Sequence, residues 1–274
     1  MNNPTTDAAM PLTPAGPHRW TTVAGPEWSN PGGGLWGGYA IGLAIRVLDA
    51  EPTAIGEALS LTLTYAAALP SGNLEVRTRC LRQGRSIGVW EVEILPAGSE
   101  QVGVHAIVTM AKRPATPPFE FAKMPEAPDP DTLPRLEFPG EPSHHYGASA
   151  FERRMLDGFP PEAGGTSARS LAWVRPRRGP MDKAMLGMVT DFSPPRSMYA
   201  LGRTINTTTL TLTVYLHATE EELAAIGDDF ILIECDGRVG SRGASDERSS
   251  YWSRSGKLLA TSEQLAWYRE RPTT

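Results

Sequence analysis

Three short stretches of the sequence match patterns that carry chemistry in other proteins. The first, Gly84–Gly88, matches GxSxG, the pattern around a nucleophilic serine, and places Ser86 at its centre. A serine of this kind sits on a tight turn that leads from a strand into a helix. The residues that follow, Val89–Leu95, alternate as a strand does. We therefore expect Ser86 to lie in a turn between two strands and not to act as a nucleophile.

The other two stretches match sites for a dinucleotide and for a metal ion. Residues 32–37 match GxGxxG before an expected helix, but the preceding AGPEWSNP is no buried strand, so the βαβ unit is missing. His144 and His145 are neighbours in an extended stretch, where adjacent side chains point apart, and no third ligand is spaced nearby. We expect neither a metal nor another cofactor.

Three single polar residues stand in positions that call for an explanation. Asp191 lies near the expected end of a helix, where the helix dipole disfavours a carboxylate, so either a turn or a function keeps it there. Thr209 belongs to a strand in which Thr207, Thr209, Thr211 and Thr213 are expected on one face, opposite apolar residues. Gln264 lies on a face of otherwise small or apolar residues. For each residue the pattern leaves a structural and a functional interpretation open.

Composition restricts the classes of partner. The chain has 274 residues, a formal net charge of −5 and a sequence pI near 5.6, which argues against nucleic acid or an anionic membrane as a partner. Cys80 and Cys235 form no metal-ligand cluster and suit a reducing compartment. The sequence has no signal-peptide pattern and no run of 18 apolar residues. We expect a cytoplasmic protein.

Proline and polar residues divide the chain into segments. Residues 1–19 are small, polar and without period, and are expected to be a flexible lead-in. Residues 114–165 begin with a stretch dense in proline, which excludes a helix interior or a central strand, and are expected to form a linker that lies along the surface. Two folded units, 20–113 and 166–274, remain.

Each unit repeats the same order of elements, an apolar helix and then several strands. The predicted helices lie within 33–50 and around 184–189, and the predicted strands cover 59–63, 74–81, 87–95 and 102–111, then 207–216, 230–235, 244–252 and 257–267. When Tyr65 is superposed on Leu216, Leu59 falls on Leu210 and Ala58 on Thr209. We expect an α+β fold in which two curved antiparallel sheets, each wrapped around a helix, join edge to edge.

This order and several motifs resemble the double-hotdog acyl-CoA thioesterases, the type II bacterial thioesterase group and its relatives. The motifs are GGY at 37–39, LRQGRS at 81–86, WVR at 173–175, DFSPP at 191–195, TTLTLTVYL at 208–216 and GKLLATSEQ at 256–264. The resemblance implies a double hotdog with one continuous sheet, an acyl-CoA substrate, and assembly into a homo-oligomer.

The resemblance also implies roles for named residues. Asp191, Thr209 and Gln264 match the family's catalytic set, in which a carboxylate takes a proton from water while a hydroxyl and an amide hold the water or the carbonyl. Gly37, Gly38 and Tyr39 match the helix start that faces the thioester. Thr211 departs from the pattern, since the family often has an acidic residue there. Because the first unit lacks the hydroxyl and the amide, one site is expected and not two.

The leading hypothesis is therefore hydrolysis of an acyl-CoA thioester to a carboxylic acid and CoA. A second hypothesis is a non-catalytic binder of acyl thioesters, or an acyltransferase-like relative in a biosynthetic pathway. The third, hydration or dehydration of an enoyl thioester, typically needs a histidine near the helix, and the helical segments contain none.

Overall fold

The computed structural model describes residues 4–30, 32–136, 150–158, 165 and 167–269, so His144 and His145 lie outside the described residues. The helices are α1 (Pro4–Ala9), α2 (Gly37–Ala50), α3 (Lys183–Val189), α4 (Arg196–Leu201) and α5 (Glu220–Ile226). The strands are β1 (Thr13–Gly16), β2 (Arg19–Ala24), β3 (Glu57–Tyr65), β4 (Gly72–Gln83), β5 (Ile87–Pro96), β6 (Val104–Ala111), β7 (Phe151–Met155), β8 (Ser170–Pro176), β9 (Asn206–Leu216), β10 (Ile231–Asp236), β11 (Gly240–Ser241), β12 (Ala244–Ser253) and β13 (Leu258–Arg269).

The described strands form one antiparallel sheet. Their order is β1-β2-β4-β5-β6-β3-β9-β13-β12-β10-β8-β7, and β11 pairs with β12. The two repeated units meet where β3 pairs with β9, with Leu63 opposite Leu212 and Thr62 opposite Thr213. This pairing removes an open edge from each unit. The fold is the double hotdog that the sequence resemblance implied.

The two central helices pack against each other inside the curved sheet. α2 is buried nearly all round because the sheet covers one side and α3 the other, which explains its apolar composition. α3 begins at Asp182, whose carboxylate accepts a hydrogen bond from the main-chain N–H of Met185 at 2.8 Å. Among the described helices, none combines the length and apolar character needed to span a bilayer.

The N-terminal segment differs from the expected flexible lead-in. Within residues 1–19 the chain forms α1 and β1, and the Met10 side chain is fully buried. Asp7 pairs with Arg46 of α2, and the Thr6 hydroxyl bonds to the carboxylate of Asp182. These partners are distant in sequence, so no local period marks the segment as ordered.

The proline-rich segment also differs in part from the expected linker. Its C-terminal portion contains β7, which pairs with β8 at the edge of the sheet. Its extended N-terminal portion lies along the second unit, where the Trp173 indole N–H donates to the Pro128 carbonyl oxygen at 2.9 Å. Arg254 pairs with Asp129 at 2.7 Å and with Asp131 at 2.9 Å. These contacts fasten a segment that proline excludes from the sheet interior.

Candidate active site

A β-bulge determines which way Thr209 points. Leu265 of β13 lies opposite Thr211, but the next residue, Ala266, lies opposite Thr209, so Leu210 is an extra residue in β9. The alternation therefore reverses at Leu210, and Thr209 faces inward with Gln264. The expectation that Thr209 shares a face with Thr211 and Thr213 is wrong, because strict alternation ignores the bulge.

The first unit has a bulge at the equivalent position. Ala58 lies opposite Met110 and Ser60 opposite Thr109, so Leu59 is the extra residue in β3. Leu59 is the residue that the repeat aligns with Leu210. Ala58 is therefore the structural counterpart of Thr209, and its methyl group is buried where the second unit has a hydroxyl.

The three polar residues singled out from the sequence meet at this place. The Gln264 side-chain N–H donates to the Thr209 hydroxyl oxygen at 2.5 Å. The Gln264 amide also lies near the carboxyl group of Asp191 and favours its ionised form. Asp191 comes directly after Thr190, which caps the C-terminus of α3. A carboxyl, a hydroxyl and an amide from three separate elements thus form one partly buried cluster.

The N-terminus of α2 closes the cluster from the other side. The main-chain N–H of Gly38 lies near the Asp191 carboxyl and favours its ionised form, and the Trp36 indole N–H donates to the Asp191 main-chain oxygen at 3.0 Å. A Cβ atom added at Gly37 would lie 2.8 Å from Asp191 Oδ2, and one added at Gly38 would lie 2.6 Å from the Met188 carbonyl oxygen. Glycine is required here because the helix start approaches the carboxyl so closely.

Burial, together with the nearby carboxylate of Glu247, raises the pKa of Asp191 to about 7. The N–H groups of Gly38, Trp36 and Gln264 favour the ionised form of the carboxyl but do not offset the effects of burial and Glu247. A carboxyl group with this pKa exchanges a proton near neutral pH. The cluster therefore has a group suited to general base chemistry.

Tyr39 does not join the cluster. Its side chain is fully buried, its ring packs on Trp28 with centroids 5.4 Å apart, and its hydroxyl donates to the Ala9 carbonyl oxygen at 3.1 Å. Burial raises the pKa of the Tyr39 hydroxyl to about 12. The GGY motif counted Tyr39 with the substrate-facing helix start, but its place in an apolar helix already favoured burial.

Two neighbours of Asp191 were not singled out from the sequence. The Tyr65 hydroxyl donates to the Gly37 carbonyl oxygen at 3.0 Å, and burial raises its pKa well above the usual value. Glu247 lies on β12 directly opposite Gln264. Glu247 belongs to a charged stretch with no distinguishing spacing. The position of Tyr65 at the aligned end of the strand was a usable signal, since Leu216 replaces it in the other unit.

The end of the α2–α3 pair that lies away from Asp191 has no counterpart of the Thr209 hydroxyl among the described residues. There the C-terminus of α2 approaches the N-terminus of α3, and the Lys183 ammonium donates to the Ala58 carbonyl oxygen at 3.0 Å. Lys183 also pairs with Glu57 at 2.5 Å. An ion pair thus lies beside Ala58, the counterpart of Thr209. The asymmetry expected from the repeat is present.

The GxSxG and GxGxxG matches lie in a turn and after a turn, not in the structural contexts that such motifs need. Ser86 lies in the turn between the antiparallel strands β4 and β5, with no helix after it. Residues 32–37 follow a short 3-10 turn, Pro26–Trp28, and not a strand. Among the described residues, no group of three or more His, Cys, Asp or Glu side chains has the arrangement of a metal site.

Sequence comparison assigns both units. Residues 25–111 match the acyl-CoA thioesterase N-terminal domain and residues 125–268 match the acyl-CoA thioesterase C-terminal domain. This chain belongs to the acyl-CoA thioesterase family. No curated protein sequence matches it significantly.

Solved structures of other proteins share the fold of this chain. A conserved hot dog fold protein of unknown function from Alicyclobacillus acidocaldarius has 25% identity and a TM-score of 0.89, over 97% of this thioesterase-family chain and 98% of that one. The acyl-CoA thioesterase II TesB2 of Mycobacterium marinum has 14% identity and a TM-score of 0.75, over 98% of each chain. At 14% identity, the similarity to the Mycobacterium marinum protein shows only that the two chains share a fold.

Proposed function

We propose that this chain hydrolyses an acyl-CoA thioester to a free carboxylic acid and CoA. The observation that carries the proposal is the convergence of Asp191, Thr209 and Gln264 at the N-terminus of α2. Family membership supports the reaction class, and the pKa of Asp191, about 7, supports its role as a base. Gly37 and Gly38 are the proposed substrate-facing main chain.

The proposed reaction begins with a water molecule held by the Gln264 amide and the Thr209 hydroxyl. The Asp191 carboxylate takes a proton from this water as its oxygen attacks the thioester carbonyl carbon. The positive end of α2 would stabilise the negative charge that develops on the carbonyl oxygen. Collapse of the tetrahedral intermediate breaks the carbon–sulfur bond, and the leaving thiolate takes the proton from Asp191.

The first prediction concerns the three polar side chains, tested by thiol release from a panel of acyl-CoA esters. Asp191→Asn should lower kcat/KM by about 10²–10⁴-fold, because it keeps the shape but removes the proton acceptor. Thr209→Ala and Gln264→Ala should lower it by about 10–10³-fold, because they position water without taking its proton.

Ser86→Ala is the matched control and should leave thiol release almost unchanged. Loss of activity in Ser86→Ala with retention in Asp191→Asn would show that a serine nucleophile operates instead. If the wild-type protein binds acyl-CoA but releases no thiol with any ester, the chain is a binder or an acyltransferase-like relative.

Assembly into a homo-oligomer is part of the proposal. Tyr215, Leu265 and Trp267 are at least 40% exposed on the outer face of the central strands β9 and β13. Large apolar side chains clustered on an exposed sheet face favour association. Light scattering should give a mass above that of the 29.6 kDa chain at micromolar concentration, and a monomer would contradict this part.

A further inference from the structure

Glu247 is a buried carboxylate beside the proposed catalytic cluster. It is 7% exposed, and its Cα lies opposite that of Gln264 in the β12–β13 ladder. Side chains of directly opposite residues project from the same face of a sheet, with Cβ atoms about 4.5–5.5 Å apart. Glu247 and Gln264 are therefore neighbours on the inner face, where an acidic side chain is costly unless it is paired.

Arg196 provides the partner. Its Nε lies 3.4 Å from Glu247 Oε2, and its guanidinium donates to the Ala168 carbonyl oxygen at 3.1 Å and to the Ser170 hydroxyl at 2.8 Å. Arg196 is the first residue of α4, five positions after Asp191. The same short segment therefore supplies both Asp191 and the arginine that holds Glu247.

We propose that Glu247 is a positioning residue for thioester hydrolysis, whose buried carboxylate, held by Arg196 and adjacent to Gln264, keeps Asp191 poised as the base. This inference rests on the proposed function. Glu247 acts through Asp191 by charge repulsion, and Arg196 fixes the place from which that repulsion acts. Substrate need not touch either residue.

The charged and titratable groups around Asp191 and Glu247 determine whether Glu247 raises or lowers the pKa of Asp191. Glu247 on β12 and Tyr65 at the end of β3 face Asp191, while Arg196 on α4, Cys235 on β10 and Tyr251 on β12 face Glu247. Burial raises the pKa of Tyr65, Cys235 and Tyr251, so these groups are neutral at pH 7. Burial also raises the pKa of Glu247, while the Arg196 guanidinium favours its ionised form. In that ionised form Glu247 disfavours a second negative charge on Asp191, so removing the charge lowers the pKa of Asp191.

The test is the pH profile of kcat/KM for Glu247→Gln, which keeps the shape of the side chain but removes its charge. The acidic limb should move to lower pH by about one pH unit. The plateau should fall as well, because a weaker base takes a proton from water less readily. Glu247→Asp keeps the charge, so its acidic limb should return toward that of the wild type.

Glu152→Gln is the matched control. Glu152 is also a buried carboxylate held by arginine, with Arg175 at 3.0 Å, but it lies on β7 at the edge of the sheet. In Glu152→Gln, the acidic limb of the kcat/KM profile should stay at the same pH as in the wild type. Thermal unfolding of each variant identifies losses of activity that come from unfolding.

The outcomes separate this inference from the proposed function. Suppose that wild-type activity depends on Asp191 and that Glu247→Gln is folded. If the acidic limb of its kcat/KM profile then stays at the wild-type pH, Glu247 has a structural role only and the inference is wrong. An equal shift in Glu152→Gln would also overturn it. If the wild type releases no thiol, or Asp191→Asn is fully active, the proposed function itself fails.

Discussion

Asp191 lies between two helix ends that act on it in opposite directions. The C-terminus of α3 disfavours its negative charge, while the N-terminus of α2 provides the Gly38 N–H and the positive end of a dipole. Burial and the carboxylate of Glu247 add to the unfavourable side. The result is a carboxyl group with a pKa of about 7, which is partly ionised at neutral pH. A group in this state can accept a proton from water and release it again.

The second prediction is a pH dependence that follows from the pKa of Asp191, about 7. Below this pH the carboxyl is protonated and accepts no proton from water, so kcat/KM should fall about tenfold per pH unit as the pH decreases. Steady-state thiol release between pH 5 and 9, with an ester that does not titrate in this range, measures the limb. A flat profile down to pH 5 would show that no such base controls the reaction.

At the scale of elements, a β-bulge in β9 helps to form the cluster, and a second bulge in β3 repeats its geometry in the other unit. The bulge at Leu210 turns Thr209 toward Gln264, and the repeated bulge at Leu59 turns Ala58 inward at the other end of the helix pair. The backbone geometry is shared by both units, while the side chains differ. The proposed site is therefore confined to one unit by residue type on a common scaffold, because both bulges present an inward side chain but only one presents a hydroxyl.

The third prediction concerns the start of α2. In Gly37→Ala, the added methyl group would lie 2.8 Å from Asp191 Oδ2 and 3.1 Å from the Tyr65 ring, so the carboxyl must shift. We expect kcat/KM to fall by about 10–10²-fold, since small displacements of reacting groups have large effects on rate. Gly34→Ala is the control, because its methyl group meets the Leu69 carbonyl oxygen at an ordinary 3.4 Å. Full activity in Gly37→Ala would contradict the close approach that defines the site.

At the scale of the molecule, the two units share both a sheet and an aromatic cluster. Trp36 at the start of α2 packs on Phe192, which follows α3, with ring centroids 5.7 Å apart. Phe151 of β7 packs on Phe192 at 5.2 Å and on Trp36 at 6.5 Å. One unit supplies Trp36, the other supplies Phe192 and the segment between them supplies Phe151, so the core runs continuously through the boundary that the repeat suggests.

The fourth prediction is that both units unfold together. Separating them would expose the edges of β3 and β9 and the inner faces of α2 and α3. Urea unfolding followed by far-ultraviolet circular dichroism and by tryptophan fluorescence should give coincident transitions. Tryptophans occur in both units, at Trp36 and Trp173 among others, so fluorescence reports on each. Two separate transitions would show that the units are independent domains.

The sequence by itself determined the elements and their repetition. Hydrophobic periodicity depends on which face of an element is buried, so α2, eight strands of the two units and the alignment of Leu59 with Leu210 were predicted without coordinates, whereas β2 and β8 were not. Residue types at aligned positions also indicated that one unit carries the polar set. The resemblance of ordered motifs then identified Asp191, Thr209 and Gln264.

Only the tertiary structure decided which way these residues face and what surrounds them. Strand register depends on hydrogen bonds to a partner that is distant in sequence, so the bulge that turns Thr209 inward leaves no trace in the alternation of β9. The formation of helix α1, the pairing of Arg196 with Glu247 and the approach of Glu247 to Asp191 depend in the same way on contacts between distant segments. Local patterns encode burial and periodicity, whereas the electrostatic environment of a site is a property of the assembled chain.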